Sequence, residues 1–107
     1  MEIIQYLIVL VNLDPTVGSE IRKTRPCVVI SPDEMNRHLQ TIVIAPMTTN
    51  LKKYPTRVAV YHDSKKGMIA IDQVRTIVRS RIIKVFDKLK PQEIRKCKSV
   101  IKETFVD

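Results

Sequence analysis

Three short runs of β-branched residues constrain this chain more than any other feature. Residues 8–13, 27–30 and 41–45 are apolar stretches of four to six residues, bounded by Asp14-Pro15, Pro26 and Pro46. That length is too short for a useful helix and fits strands buried in a sheet. Pro26 is expected to open the second strand, and Pro46 to force the chain out of the sheet before Met47-Thr48-Thr49-Asn50. Between the first two strands, residues 14–24 read as a long loop with Gly18 among polar and charged residues. Ser31-Pro32-Asp33-Glu34 is helix-start chemistry and predicts a single helical turn at residues 34–36.

Further along, residues 56–61 alternate in strand fashion, with Val58 and Val60 on one side and Arg57 on the other. A turn at residues 63–67 leads into a strand at 68–71, which 73–77 extends or neighbours, and 82–86 reads as one more strand. Pro91 then sits where a first helical residue belongs. Ile94, Cys97, Ile101 and Phe105 recur at helical spacing with Val100 beside them, while Arg95, Lys96, Lys98 and Lys102 fall on or near the opposite face. The expectation is one domain over residues 1–107, mainly β, with at least five short strands, short helices and a C-terminal amphipathic helix packed on the sheet. At 107 residues it can bury a core without disulfide or metal.

Charge narrows the choice of partner. The chain carries +8 overall: residues 1–50 hold four basic and five acidic side chains, residues 51–107 fifteen and six. An imbalance confined to one half favours a polyanion, because each cation set near a phosphate releases condensed counterions; a solvated basic face is the plainer alternative. Cys27 and Cys97 are far apart and form no Cys-x-x-Cys pair, so metal binding is not expected and buried apolar thiols are. The apolar start lacks a basic leader region and a cleavage site and is interrupted at Asn12 and Asp14, so no signal peptide or membrane span is expected and the protein is expected in the cytoplasm.

Three polar clusters at strand ends are candidates for chemistry. The first joins Asp14 through Glu20 with Thr24-Arg25-Pro26, setting carboxylates beside a guanidinium. The second is Thr48-Thr49-Asn50 with Lys52 and Lys53 beyond. The third is Asp72-Gln73-Val74-Arg75-Thr76. His38 and His62 have no paired carboxylate or serine nearby in sequence and read as surface residues. There is no Walker loop, no dinucleotide fingerprint and no clustered carboxylates for two metal ions. A protein of this kind that cut RNA would depend on the substrate's own 2′-hydroxyl as nucleophile.

At these clusters the chain resembles the MazF/PemK toxins, whose superfamily includes the Kid and CcdB toxins. The resemblance is carried by Val11-Asn12-Leu13-Asp14-Pro15-Thr16, Gly18-Ser19-Glu20, Thr24-Arg25-Pro26-Cys27-Val28-Val29, Ala45-Pro46-Met47-Thr48-Thr49, Tyr54-Pro55 and Asp72-Gln73-Val74-Arg75-Thr76. It implies a small SH3-like β-barrel and a homodimer that cleaves single-stranded RNA, as in mRNA, without cofactor or metal, leaving a cyclic phosphate and a 5′-hydroxyl. It also implies a cognate antitoxin, with a DNA operator reached only through that antitoxin and no membrane partner.

Carried over by residue, Arg25 matches the family's catalytic arginine, Thr48 its catalytic threonine and Glu20 an auxiliary acidic residue. Ser19, Thr49, Asn50, Asp72, Gln73 and Arg75 are the expected substrate-binding residues. A guanidinium rarely gives up its proton, so Glu20 or Asp72 is the easier base. Structural alternatives stand beside these roles: Arg25 as an ion-pair partner of Asp14 or Glu20, and Thr48 as a turn cap. Ala70 and Ser19 stand where Kid-like members carry arginine and histidine, which makes the resemblance closer to MazF. A CcdB-like gyrase poison and a nucleic-acid-binding barrel without activity are the competing functions.

Overall fold

In the computed structural model, which describes residues 2–13 and 23–106, the three apolar runs become the middle of one antiparallel sheet. β1 (Leu7–Asn12), β2 (Thr24–Val29) and β3 (Thr41–Thr48) lie side by side. β1 and β2 pair with Ile8 opposite Val28, and β2 and β3 with Cys27 opposite Pro46. The far edge of β3 is shared: the hairpin of β4 (Arg57–His62) and β5 (Lys65–Ala70) pairs with its end, and β6 (Arg75–Val78) with its start. β7 (Ile82–Lys88) flanks β1 and closes the order β4-β5-β3-β2-β1-β7. The two outer strands then meet, because the rings of His62 on β4 and Phe86 on β7 pack edge to face with centroids 4.6 Å apart. The sheet is thus a curled, barrel-like antiparallel one.

Continuous apolar runs are needed because the central strands bury both faces. Ile8, Val28, Ala45 and Met47 point into a cluster shared with Val58, Val60 and Ile69 and covered by Cys97 and Val100 of helix α2 (Pro91–Ile101). Leu7, Val9, Val11, Cys27, Val29, Ile42 and Ile44 point the other way, into a second cluster with Ile3 and Ile77. Among the described residues no helix is long and apolar enough to cross a membrane.

Several local expectations change. β3 runs through Pro46 to Thr48 and does not end there. Its outer edge changes partner between Ile44, the last residue on β6, and Met47, the first on β5, so the missing proline N–H falls in the gap between two ladders. Pro26 likewise lies inside β2, opposite Leu10. The helical turn is a longer helix α1 (Asp33–His38), locked by Asn36, whose Nδ2 donates to the Ser31 carbonyl at 2.9 Å. The turn after β4 tightens to Asp63-Ser64, both at positive φ (55° and 61°), as two-residue hairpins require, which moves Lys65 and Lys66 into β5.

Residues 71–73 form a 3-10 turn in place of continuous strand. Phe105 leaves the helical stripe, because residues Lys102–Val106 widen into a π-helical turn, and its side chain is 56% exposed. Glu93, absent from the expected core, is buried: one carboxylate oxygen accepts from Lys90 N at 2.9 Å and the other from Tyr61 N at 3.1 Å. The first bond caps α2 and the second ties it to the edge strand β4, through a single residue.

Candidate active site

The β2–β3 register decides which polar residues meet. The β2–β3 ladder ends with Cys27 opposite Pro46; Arg25, two residues before Cys27, and Thr48, two after Pro46, lie just beyond it, and alternation along each strand puts both on the face that carries Cys27, Val29 and Ile44. Each is half-buried, at the start of one strand and the end of the next. β5 fixes the height of Thr48 through the pair Thr48–Met68. It can come so near because the next residue is Gly67, where a Cβ would sit 3.1 Å from the Thr48 carbonyl oxygen.

Thr48 Oγ1 accepts the Asn50 N–H at 3.2 Å, and Asn50 Oδ1 accepts the Lys52 N–H at 3.1 Å. The turn-capping role is therefore real. It also leaves the hydroxyl proton available as a donor, so capping and phosphate contact are compatible. Thr49 and Asn50 are exposed beside it.

Arg75 on β6 joins the same face. Its Nη1 donates to the Leu13 carbonyl at 3.3 Å, and its charge, like that of Arg25, acts on Cys27. Burial pushes the Cys27 thiol up to about 12 despite the opposing pull of the two guanidiniums, and burial likewise pushes Cys97 up to about 12. Both cysteines are unpaired and buried, as apolar thiols should be.

Asp72 is elsewhere engaged. Its carboxylate accepts from Arg57 Nε at 2.8 Å, Arg57 Nη2 at 3.3 Å and Thr56 Oγ1 at 3.0 Å. Burial tends to raise its pKa, but the bonds from Arg57 and Thr56 together hold it below the usual carboxylate range. Arg57 in turn lies over the Tyr54 ring, 5.2 Å from its centroid. Gln73 is half-buried in the same 3-10 turn. Ser19, Glu20 and Asp14 lie outside the described residues.

At the corner where β2 begins, β3 ends and the β4–β5 hairpin turns, a pocket of about 250 Å³ is lined by Arg25, Thr48, Thr49, His62, Lys66 and Phe86 among others. Arg25 and Thr48 thus line one pocket with His62 and Phe86, to which the sequence assigns no site role. His62 was expected at the surface; His38 is there, but His62 is half-buried against Phe86. Its inward placement follows from the alternation 58, 60, 62, which turns the last member of the run to the side of Val58 and Val60. Among the described residues no three of His, Cys, Asp or Glu come together as a metal site would need.

Residues 4–105 match the family of PemK-like, MazF-like toxins of type II toxin–antitoxin systems. The chain belongs to the PemK/MazF toxin family. Similar family members include the endoribonuclease toxin MazF of Escherichia coli, 35% identical over 92 residues that span 85% of this chain and 83% of that protein. The endoribonuclease MazF of Staphylococcus saprophyticus is 30% identical over 98 residues, 86% of this chain and 82% of that one. Among solved structures, MazF from Deinococcus radiodurans superposes with a TM-score of 0.86 at 20% identity, covering 100% of this chain and 99% of that one. A mycobacterial endoribonuclease in complex with its cognate antitoxin gives 0.82 at 17% identity, over 97% and 95%. Those two structural likenesses establish the PemK/MazF fold for the curled sheet and C-terminal helix described above.

Proposed function

We propose that this PemK/MazF-family toxin is an endoribonuclease that cuts single-stranded RNA at the Arg25–Thr48 site, using the substrate's own 2′-hydroxyl. The observation that supports it best is the placement of Arg25 and Thr48 on the neighbouring ends of β2 and β3, lining one pocket. Arg25 offers a planar, permanently charged fork to the phosphate and to the charge that grows on its oxygens. Thr48 orients that phosphate through its hydroxyl. As the 2′-oxygen loses its proton to the base and bonds to phosphorus, the bond from phosphorus to the 5′-oxygen breaks and that oxygen takes a proton from water, giving a 2′,3′-cyclic phosphate and a 5′-hydroxyl.

The base is assigned to Glu20, since Asp72 is held by Arg57 and Thr56 and serves to fix the β4–β5 hairpin. Ser19, Thr49, Asn50, Gln73 and Arg75 form the remaining contacts to the strand, with Arg75 lending charge beside Arg25. The active form is a homodimer, consistent with the exposed apolar side chains of Val78 (49%) and Ile83 (59%). An acidic antitoxin covers the site.

The deciding experiment incubates the purified protein with RNA and with the all-deoxy strand in excess EDTA. Cleavage of RNA alone, at a short sequence and with cyclic-phosphate ends, is expected. A requirement for added magnesium, or cutting of the deoxy strand, contradicts the mechanism.

A further inference from the structure

The ring pair of His62 and Phe86 is shared by two adjoining pockets. One is the pocket that holds Arg25 and Thr48; the other, of about 360 Å³, is lined by His62, Asp63, Lys84, Phe86 and Asp87. Their charges differ. The first pocket sets Arg25, Lys65 and Lys66 against the single carboxylate of Asp63, which suits a phosphate. The second sets Asp63 and Asp87 against Lys84 alone, which does not. What the second offers is aromatic surface with hydrogen-bonding groups at its rim, the combination that holds an unstacked nucleobase. Lys84 stands over the Phe86 ring, its Nζ 5.1 Å from the centroid.

We infer that the His62–Phe86 wall is a base-stacking subsite, which takes the nucleobase next to the phosphate bound at Arg25 and Thr48. The inference rests on the RNA-cutting role proposed above. It gives that role a base-holding element that the strand-end clusters do not contain. The rings are well placed for it: they join the two outer strands β4 and β7, so both are held by the sheet closure and lose little freedom when a base arrives.

The test uses hexanucleotides with 2′-O-methyl sugars, which cannot be cut, carrying fluorescent 2-aminopurine at each position in turn with randomised neighbours. Stacking on an aromatic ring quenches that emission. The wild-type protein should quench one position selectively. Phe86→Leu, which keeps the apolar packing, and His62→Ala should both lose that quench, and binding should weaken roughly 5- to 150-fold, the loss expected for one base–aromatic contact. Phe86→Tyr should retain both. Melting curves establish that each variant is folded, and if Phe86→Leu is not, His62→Ala decides. Absence of a position-specific quench on the wild type, or its persistence in the folded variants, overturns the subsite. The two proposals separate cleanly: RNA cut without selective quench removes the subsite and keeps the nuclease, whereas selective quench without cleavage of native RNA does the reverse.

Discussion

Arg25 and Asp72 are two charged residues from the same family pattern, and the structure gives them opposite expected consequences. Arg25→Ala removes the fork from the phosphate, and cleavage should fall by on the order of a hundredfold or more, the loss seen when a preorganised charge stabiliser is deleted. Arg25→Lys keeps the charge but not the planar geometry and should remain substantially impaired. Single-turnover cleavage and melting on the same variants test this; a folded Arg25→Ala protein that cuts at the wild-type rate removes Arg25 from the mechanism. Asp72→Asn should leave most of the cleavage and change stability. Because its folded pKa is depressed, the ionised carboxylate stabilises the fold above the unfolded value of about 3.9, and that contribution disappears as pH falls through the lower folded value. With the Asp72 side chain 36% exposed, the difference at neutral pH should be about 1 kcal/mol or less. Melting of both proteins across an acid series should show the gap closing at the low end; a gap of constant size would mean that the Arg57–Asp72 pair is not its source.

The hairpin of β4 and β5 is the element that holds the site together, since it supports Thr48 from one side and brings His62 to the pocket. Gly67→Ala should show this, because a new Cβ 3.1 Å from the Thr48 carbonyl oxygen forces one strand to shift by a few tenths of an ångström. Cleavage should drop several-fold while RNA affinity changes little, and the melting temperature should fall by no more than a few degrees. Activity equal to wild type would show that the position of Thr48 tolerates that shift. The same hairpin marks what could be read from the amino acids alone. The β-branched runs declared the central strands because burial on both faces leaves few polar positions in them, and the family motifs named Arg25 and Thr48. Pro46 misled, since its missing donor matters only where a neighbour needs it, and a change of partner along one strand edge has no local signature. His62 and Phe86 were not legible for a similar reason: they lie on the two outermost strands and meet only when the sheet curls, a long-range event that neither short segment encodes.

On the scale of the whole molecule, the +8 charge bears on the two acidic partners proposed above, RNA and an antitoxin. The cations do not gather only at the pocket. Lys65 and Lys66 stand at the hairpin, Lys84 and Lys88 on β7, and Arg95, Lys96 and Lys98 along the exposed side of α2. A field that broad acts at a distance, so it should speed the arrival of an acidic antitoxin more than it strengthens the complex once formed. The predicted partner is an acidic antitoxin, and its binding should block RNA cleavage at a stoichiometric ratio. Raising ionic strength from 0.1 M to 1 M shortens the screening length from about 10 Å to about 3 Å. The association rate should therefore fall at least tenfold over that range, while the dissociation rate changes far less. Lys65→Glu combined with Lys66→Glu should lower the association rate further at low salt and converge with the wild type at high salt, because screening removes the field that the substitutions alter. Stopped-flow mixing at several salt concentrations measures all of this. An association rate indifferent to salt would show that the basic surface does not guide the antitoxin, and would leave RNA as the partner for which that charge is spread across the molecule.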